Sequence, residues 1–207
     1  MLTQQEYLKI YNNSDSEKLL NLARFDSKKL TEPAIIALKG EILKRQLGTK
    51  LIDWINAERN FFKGFELEIL KTKIKYSKCS NCKIKKNNIK GFYIHNCSLT
   101  HNPKEANLLL CEECGKKFRN KNYIISATWG WLSSKGFINV PFYFLNEVFN
   151  IPFRKKQSEK IFKEFIFENT GLIRHLGIDK IEKIVELHNN HQLSLEIKED
   201  FLFLEFL

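Results

Sequence analysis

The sequence predicts an α+β, mostly helical protein in which a small four-cysteine module lies between two helical segments. Three observations predict it. Two Cys-x-x-Cys pairs, Cys79/Cys82 and Cys111/Cys114, are separated by 28 residues. Apolar residues recur at helical spacing before and after the pairs. Short β-rich runs, Gly91–His95 and Asn107–Leu110, lie between them. These divide the chain into an N-terminal helical segment (1–75), the cysteine module (76–122) and a C-terminal segment (123–207).

Residues 3–47 read as two or three short helices. Asp15 or Ser14 caps a run that carries Leu19, Leu20 and Leu22. Thr31-Glu32-Pro33 opens the next, since proline suits the first helical turn. Ala34, Ile35, Leu38, Ile42 and Leu43 follow at helical spacing, and Gly48 is expected to end the run. Residues 50–75 read as one longer helix with Ile52, Ile55, Phe62, Phe65, Ile69 and Leu70 along it and Gly64 as its weak point. Lys116–Lys121 directly follows the second cysteine pair, which suits a helix with Cys111 and Cys114 in its first turn. Knuckle, hairpin and helix in that order give a treble-clef-like finger; a ribbon with both knuckles on hairpins is the alternative. After residue 158, Ile161, Phe162, Phe165 and Ile166 mark one face of an amphipathic helix, and a further helix is expected from Asp179 to about Asn189. Leu193, Leu195 and Ile197 alternate like a strand, and 201–207 is simply apolar.

A Cys-x-x-Cys pair clasps one face of a metal ion, and a second pair closes a tetrahedron. Four thiolates fill zinc's four positions, so the expected metal is one structural Zn²⁺ held by Cys79, Cys82, Cys111 and Cys114, with no open position for catalysis. Redox thiols are the alternative, though a redox motif needs one pair only. A rubredoxin-like iron site is another. Cys97, His95 and His101 match no common closed site and read as hairpin residues. His175, His188 and His191 have no evident partner and receive no catalytic role.

Five cysteines, four of them in metal spacing, fit a reducing cytoplasmic compartment better than a disulfide framework. Met1–Tyr11 has no apolar run behind a basic start, so no signal peptide is expected. The formal net charge is +10, and it is localised. Residues 69–123 hold 13 Lys/Arg against 3 Asp/Glu, whereas the flanking parts are almost neutral. No acid occurs from Ile69 to Lys104, a run that includes Lys71, Lys73, Lys75, Lys78, Lys83, Lys85, Lys86 and Lys90. Such a field attracts polyanions, either nucleic acid or an anionic membrane. Tyr76, Phe92 and Tyr93 offer rings for base stacking. A solvated face is the alternative reading of the same lysines.

Residues 122–151 are apolar and nearly uncharged, with Lys116, Lys117, Arg119 and Lys121 before them and Arg154-Lys155-Lys156 after them. Neither half reaches the ~20 residues of a full membrane span. Core burial is one reading. Interfacial insertion is the other, with Trp129, Trp131, Phe142 and Tyr143 at the headgroup level.

The order of two knuckles, Lys116-Lys117-Phe118-Arg119, Gly130-Trp131 and Pro141 resembles bacterial zinc-ribbon or treble-clef-like four-cysteine proteins. In those, the second knuckle leads into a Gly-Trp-Trp-Gly…Pro-Trp-Gly apolar hairpin. Thr31–Ala34 and Glu41–Arg45 resemble a helical preface common in such proteins. This chain departs from the pattern with Trp129-Gly130-Trp131 followed by Leu132-Ser133-Ser134. The resemblance covers about half of the chain and implies a zinc site and membrane proximity, without an activity.

The functional expectation is non-enzymatic binding of a polyanion, nucleic acid first, through Lys83, Lys85, Lys86, Lys90, Lys116, Lys117 and Arg119. A peripheral inner-membrane adaptor and a regulatory or immunity-type module for an acidic protein partner are the alternatives. No small-molecule substrate, phosphate loop, Ser/His/Asp order or paired-carboxylate motif is evident.

Overall fold

The computed structural model describes residues 2–84, 88–98, 101–129, 145 and 151–193. Among them are nine α-helices and one two-stranded antiparallel sheet. The helices are α1 (Gln4–Asn12), α2 (Ser16–Asn21), α3 (Glu32–Lys44), α4 (Thr49–Arg59), α5 (Gly64–Lys75), α6 (Glu112–Trp129), α7 (Arg154–Glu168), α8 (Thr170–Leu176) and α9 (Ile181–Leu193). The strands are β1 (Ile89–Ser98) and β2 (His101–Cys111), paired from Ile89↔Cys111 to Ser98↔His101 with an irregularity near Asn96.

Two apolar cores organise these elements. The first collects Tyr11, Leu19, Ala34, Leu38, Ile42, Leu51 and Ile55 from α1 to α4. Asp15 caps α2, as its sequence position predicts, by accepting from Glu17 N–H. Helix α3 begins after Thr31 with Pro33 in its first turn but ends at Lys44, earlier than Gly48 suggests. Gln46 takes the left-handed position instead, at φ 56°. Leu47 N–H then bonds Ile42 O and Gln46 N–H bonds Leu43 O, the paired bonds that close a helix end. Gly48, at φ 114°, starts α4. Arg45 reaches back from this corner to the Tyr11 and Asn12 carbonyls of α1 (both 2.9 Å) and to Glu41 (2.8 Å).

The expected single helix over 50–75 is two. The break at Asn60–Lys63 lets the chain leave the first core and enter the second: Phe62 is buried there, and Phe61 stacks on Phe167 at 5.2 Å. Gly64, at φ 52°, starts the new helix. The break resets the helical phase. Phe65 is therefore 81% exposed and Ile69 is exposed as well, while Leu70 and Ile74 carry the buried face.

The second core sits between the sheet and the helices α5, α7, α8 and α9. Ile161, Phe162, Phe165 and Ile166 of α7 are buried, the face that the sequence marks. They meet Ile89, Phe92 and Ile94 of β1, Leu108 to Leu110 of β2, Leu70 and Ile74 of α5, and Ile184 and Val185 of α9. Burying a side chain of this kind stabilises by roughly 1.5–3 kcal/mol, so the hairpin is held mainly by what covers it. Helix α7 approaches β1 so closely that a Cβ on Gly91 would lie 2.7 Å from Ile161 Cβ. Gly91 N–H donates to Ser158 Oγ at 2.8 Å at the same place.

Helix α6 starts one residue after Cys111, so Cys111 closes β2 and does not sit in the helical turn where the sequence reading put it. The helix continues through Trp129. The first part of the apolar 122–151 stretch is thus the end of a helix that opens on Glu112 and Glu113 and carries Lys116, Lys117, Arg119 and Lys121 in its middle. Trp131, Phe142 and Tyr143, the rest of that expected hairpin and the strand-like 195–197 lie outside the described residues. Among the described residues, no helix is long and apolar enough to cross a membrane.

Candidate metal centre and the basic surface beside it

The first knuckle follows α5. Cys79 N–H donates to Ile84 O (3.1 Å) and Lys83 N–H donates to Cys79 O (2.8 Å). Lys83, directly after the pair, takes a left-handed φ of 58°, which turns the chain back so that Ile84 O meets Cys79 N–H. The hairpin then spans the distance to Cys111 at the end of β2, and α6 places Cys114 in its first turn.

All four sulfurs lie within 4.8 Å of one another. Cys82 Sγ and Cys111 Sγ are 3.9 Å apart. A tetrahedral ion with sulfurs at ~2.3 Å sets them ~3.8 Å apart, whereas a disulfide needs ~2.05 Å. Donors also face the sulfurs: Cys111 N–H reaches Cys79 Sγ at 3.4 Å, and Asn81 Nδ2 reaches Cys114 Sγ at 3.3 Å. Burial opposes charge on Cys79, but backbone N–H groups of Cys111, Cys82 and Asn81 outweigh it and bring the thiol down to about 7. Burial, together with the neighbouring Cys79 thiolate, pushes Cys111 up to about 12, and burial also raises Cys114. Thiolates at Cys111 and Cys114 are thus disfavoured without a cation to balance them. The four cysteines are positioned to hold one metal ion. Cys97, His95 and His101 are in the hairpin strands, as expected, away from this cluster in sequence register.

The acid-free lysine run is not bare in three dimensions. Acids from just before the run and from distant segments meet it. Lys71 pairs with Glu68 (2.7 Å), Lys75 with Glu159 (3.1 Å), Lys73 with Asp179 and Lys83 with Glu186. Glu182 accepts from Lys78 N–H at 3.1 Å. Lys85 and Lys86 lie outside the described residues. The other expected contacts fall on a different side. Glu112 alone serves both Lys116 (2.7 Å) and Lys90 (2.8 Å), which hold its carboxyl down to about 2. Lys117 and Lys121 on α6, and Lys155 and Lys156 on α7, are exposed and have no acid partner among the described residues. Arg119 lies over the Phe92 ring at 6.0 Å. Both α6 and α7 pack on β1, and Arg119 of α6 and Arg154 and Lys155 of α7 line one cavity with Lys75 and Lys90.

A second polar cluster, which the sequence reading missed, lies between the two cores. Lys28 Nζ is 2.7 Å from Glu58, both nearly buried. Burial raises the Glu58 carboxyl, against the pull of Lys28 and of Gly171 N–H. Burial also raises Glu168. His188, given no partner from sequence, has Nε2 at 3.0 Å from Asn107 O and Nδ1 at 3.5 Å from Asn169 Nδ2 and 3.9 Å from Glu168. Those contacts fit a neutral ring protonated on Nε2, and burial holds its pKa down to about 4. These groups line a cleft of about 370 Å³. No local spacing links Lys28, Glu58, Glu168 and His188, so only the tertiary fold reveals them.

No protein-family model, curated protein or solved structure matches the chain.

Proposed function

We propose that this protein is a non-enzymatic binding module in which one zinc ion staples a treble-clef-like finger, and that the finger presents cations to a polyanion. Nucleic acid is the polyanion favoured, with ribosomal RNA as a specific case. The element order supports the finger type: a knuckle, a hairpin, and a helix that supplies the last ligand. Four sulfur donors support zinc. The observation that carries the reading is that Lys117 and Lys121 of α6 and Lys155 and Lys156 of α7 are exposed and have no acid partner among the described residues. Phosphate tracking needs only lysines, because it is electrostatic and sequence-independent. The pairing of Lys83 with Glu186 moves the expected contact from the first knuckle to α6 and α7.

Fluorescence anisotropy with a labelled single-stranded RNA of about 20 nucleotides tests this. Binding should weaken steeply with salt. The triple variant Lys117→Glu, Lys121→Glu, Lys156→Glu should bind at least about tenfold more weakly while keeping its metal. Absence of binding at low salt would overturn the nucleic-acid reading. Salt-resistant association with anionic vesicles in that case would move the function to the membrane alternative.

A further inference from the structure

Between β1, the start of α6 and the start of α7 lies a cavity of about 430 Å³. That is the size of a site for a small organic ligand. Five cations line it: Lys75, Lys90, Arg119, Arg154 and Lys155. Glu159 is the one acid among its described lining residues, and it is already engaged by Lys75. Lys90 is engaged by Glu112. Lys155 has no acid partner among the described residues, and Arg119 Nε is buried without a hydrogen-bond acceptor. A buried donor left unsatisfied costs about 1–3 kcal/mol.

The wall from α7 adds to this field. Its first turn carries Arg154, Lys155 and Lys156 and no acid, and Phe153 before it supplies no side-chain cap. Cations at a helix N-terminus oppose the helix dipole. An anion at this end offsets that opposition. Ile89, Phe92, Tyr93 and Phe162 give the cavity an apolar, aromatic side. The Gly91–Ser158 hydrogen bond holds β1 and α7 at fixed separation beside it.

We propose that this cavity binds a phosphate monoester of mononucleotide size, with its phosphate among Arg119, Arg154 and Lys155 and its planar ring on the aromatic side. The proposal rests on the polyanion reading, since a strand's phosphates would meet some of the same cations. It adds a defined small-ligand site with its own specificity.

Isothermal titration calorimetry of the metal-loaded protein with AMP, and with adenosine as the phosphate-free control, tests the site. One AMP should bind per chain, and adenosine at least about tenfold more weakly. Arg119→Gln and the exposed-site variant Lys155→Glu should each weaken AMP by at least about tenfold. Thermal melts and metal content check that both remain folded, and Lys155 is exposed. Lys117→Glu with Lys121→Glu should leave AMP binding unchanged while weakening RNA. No AMP binding in a protein that still binds RNA would overturn the cavity and leave the polyanion reading standing. AMP binding without RNA binding would do the reverse. Equal affinities for AMP and adenosine, or AMP binding unchanged in both variants, would overturn the phosphate assignment.

Discussion

Asn189 completes both hydrogen bonds of the Leu109 backbone: its Oδ1 accepts from Leu109 N–H at 2.9 Å and its Nδ2 donates to Leu109 O at 2.8 Å. Nδ2 also donates to Ser80 Oγ at 2.7 Å, so one buried side chain of α9 ties the second strand to the first knuckle. Asn189→Leu leaves a strand N–H and a carbonyl buried without partners. It should destabilise by roughly 2–4 kcal/mol, at ~1–3 kcal/mol per orphaned group with some relaxation. Urea unfolding measures this, and a loss below about 1 kcal/mol would mean that water replaces the side chain.

Elemental analysis should find one zinc per chain. Cys79→Ser removes a buried ligand whose thiol the surrounding N–H groups bring down to about 7. It should release the metal and cost at least about 4 kcal/mol, the scale of losing a structural metal. Stoichiometric metal at unchanged thermal stability in that variant would contradict the four-cysteine site.

Gly115 faces the Phe92 ring so closely that an added Cβ would lie 2.2 Å from it. The ring is buried and packs against α6. Gly115→Ala should therefore cost about 1–3 kcal/mol by overpacking, despite the helix propensity that alanine adds. A melting temperature at or above the wild type would show that Phe92 can move.

Burial lowers His188 from 6.5 to about 4, so the unfolded chain binds its proton first as pH falls. The stability tied to the neutral ring is complete above about pH 6.5 and is lost as pH falls towards 4, by about 3 kcal/mol in all. Glu168, His191 and the Asn107 carbonyl face the ring or act on it. An NMR titration of the imidazole checks the assignment: a midpoint above 6 would refute a neutral buried ring.

Glu58 shifts the other way. Its folded pKa is raised, so its contribution is present at low pH and is lost as pH rises through that folded value. Lys28→Met removes the nearby cation and raises the carboxyl further. The variant should lose about 3–5 kcal/mol near neutrality, where the charge is buried unpaired, and less at pH 5. Paired urea melts at pH 5 and pH 8 read the difference. An equal loss at both would assign the effect to packing of the lysine stem.

The parts legible in sequence are those fixed by short-range rules. Ligand spacing identified the four cysteines, short β-rich runs between them marked both strands, and 3.6-residue periodicity named the four buried residues of α7. The break at Asn60–Lys63 was not legible, because Phe62 keeps the helical apolar pattern while serving a different core. Gln46 took the left-handed corner expected near a glycine, because backbone bonds from Gln46 and Leu47 close α3 there. The charge pattern misled for a related reason. Lys73, Lys75 and Lys83 meet acids more than 80 positions away, and no local window shows that. The same distance hid Lys28, Glu58 and His188.

That long-range pairing divides the surface. Asp179 and Glu186 neutralise Lys73 and Lys83, and Glu112 and Glu159 neutralise Lys90, Lys116 and Lys75. Among the described residues, Lys117 and Lys121 of α6 and Lys155 and Lys156 of α7 have no acid partner. A charged surface therefore pulls unevenly on the described part of the molecule, and an uneven pull exerts a torque as well as an attraction.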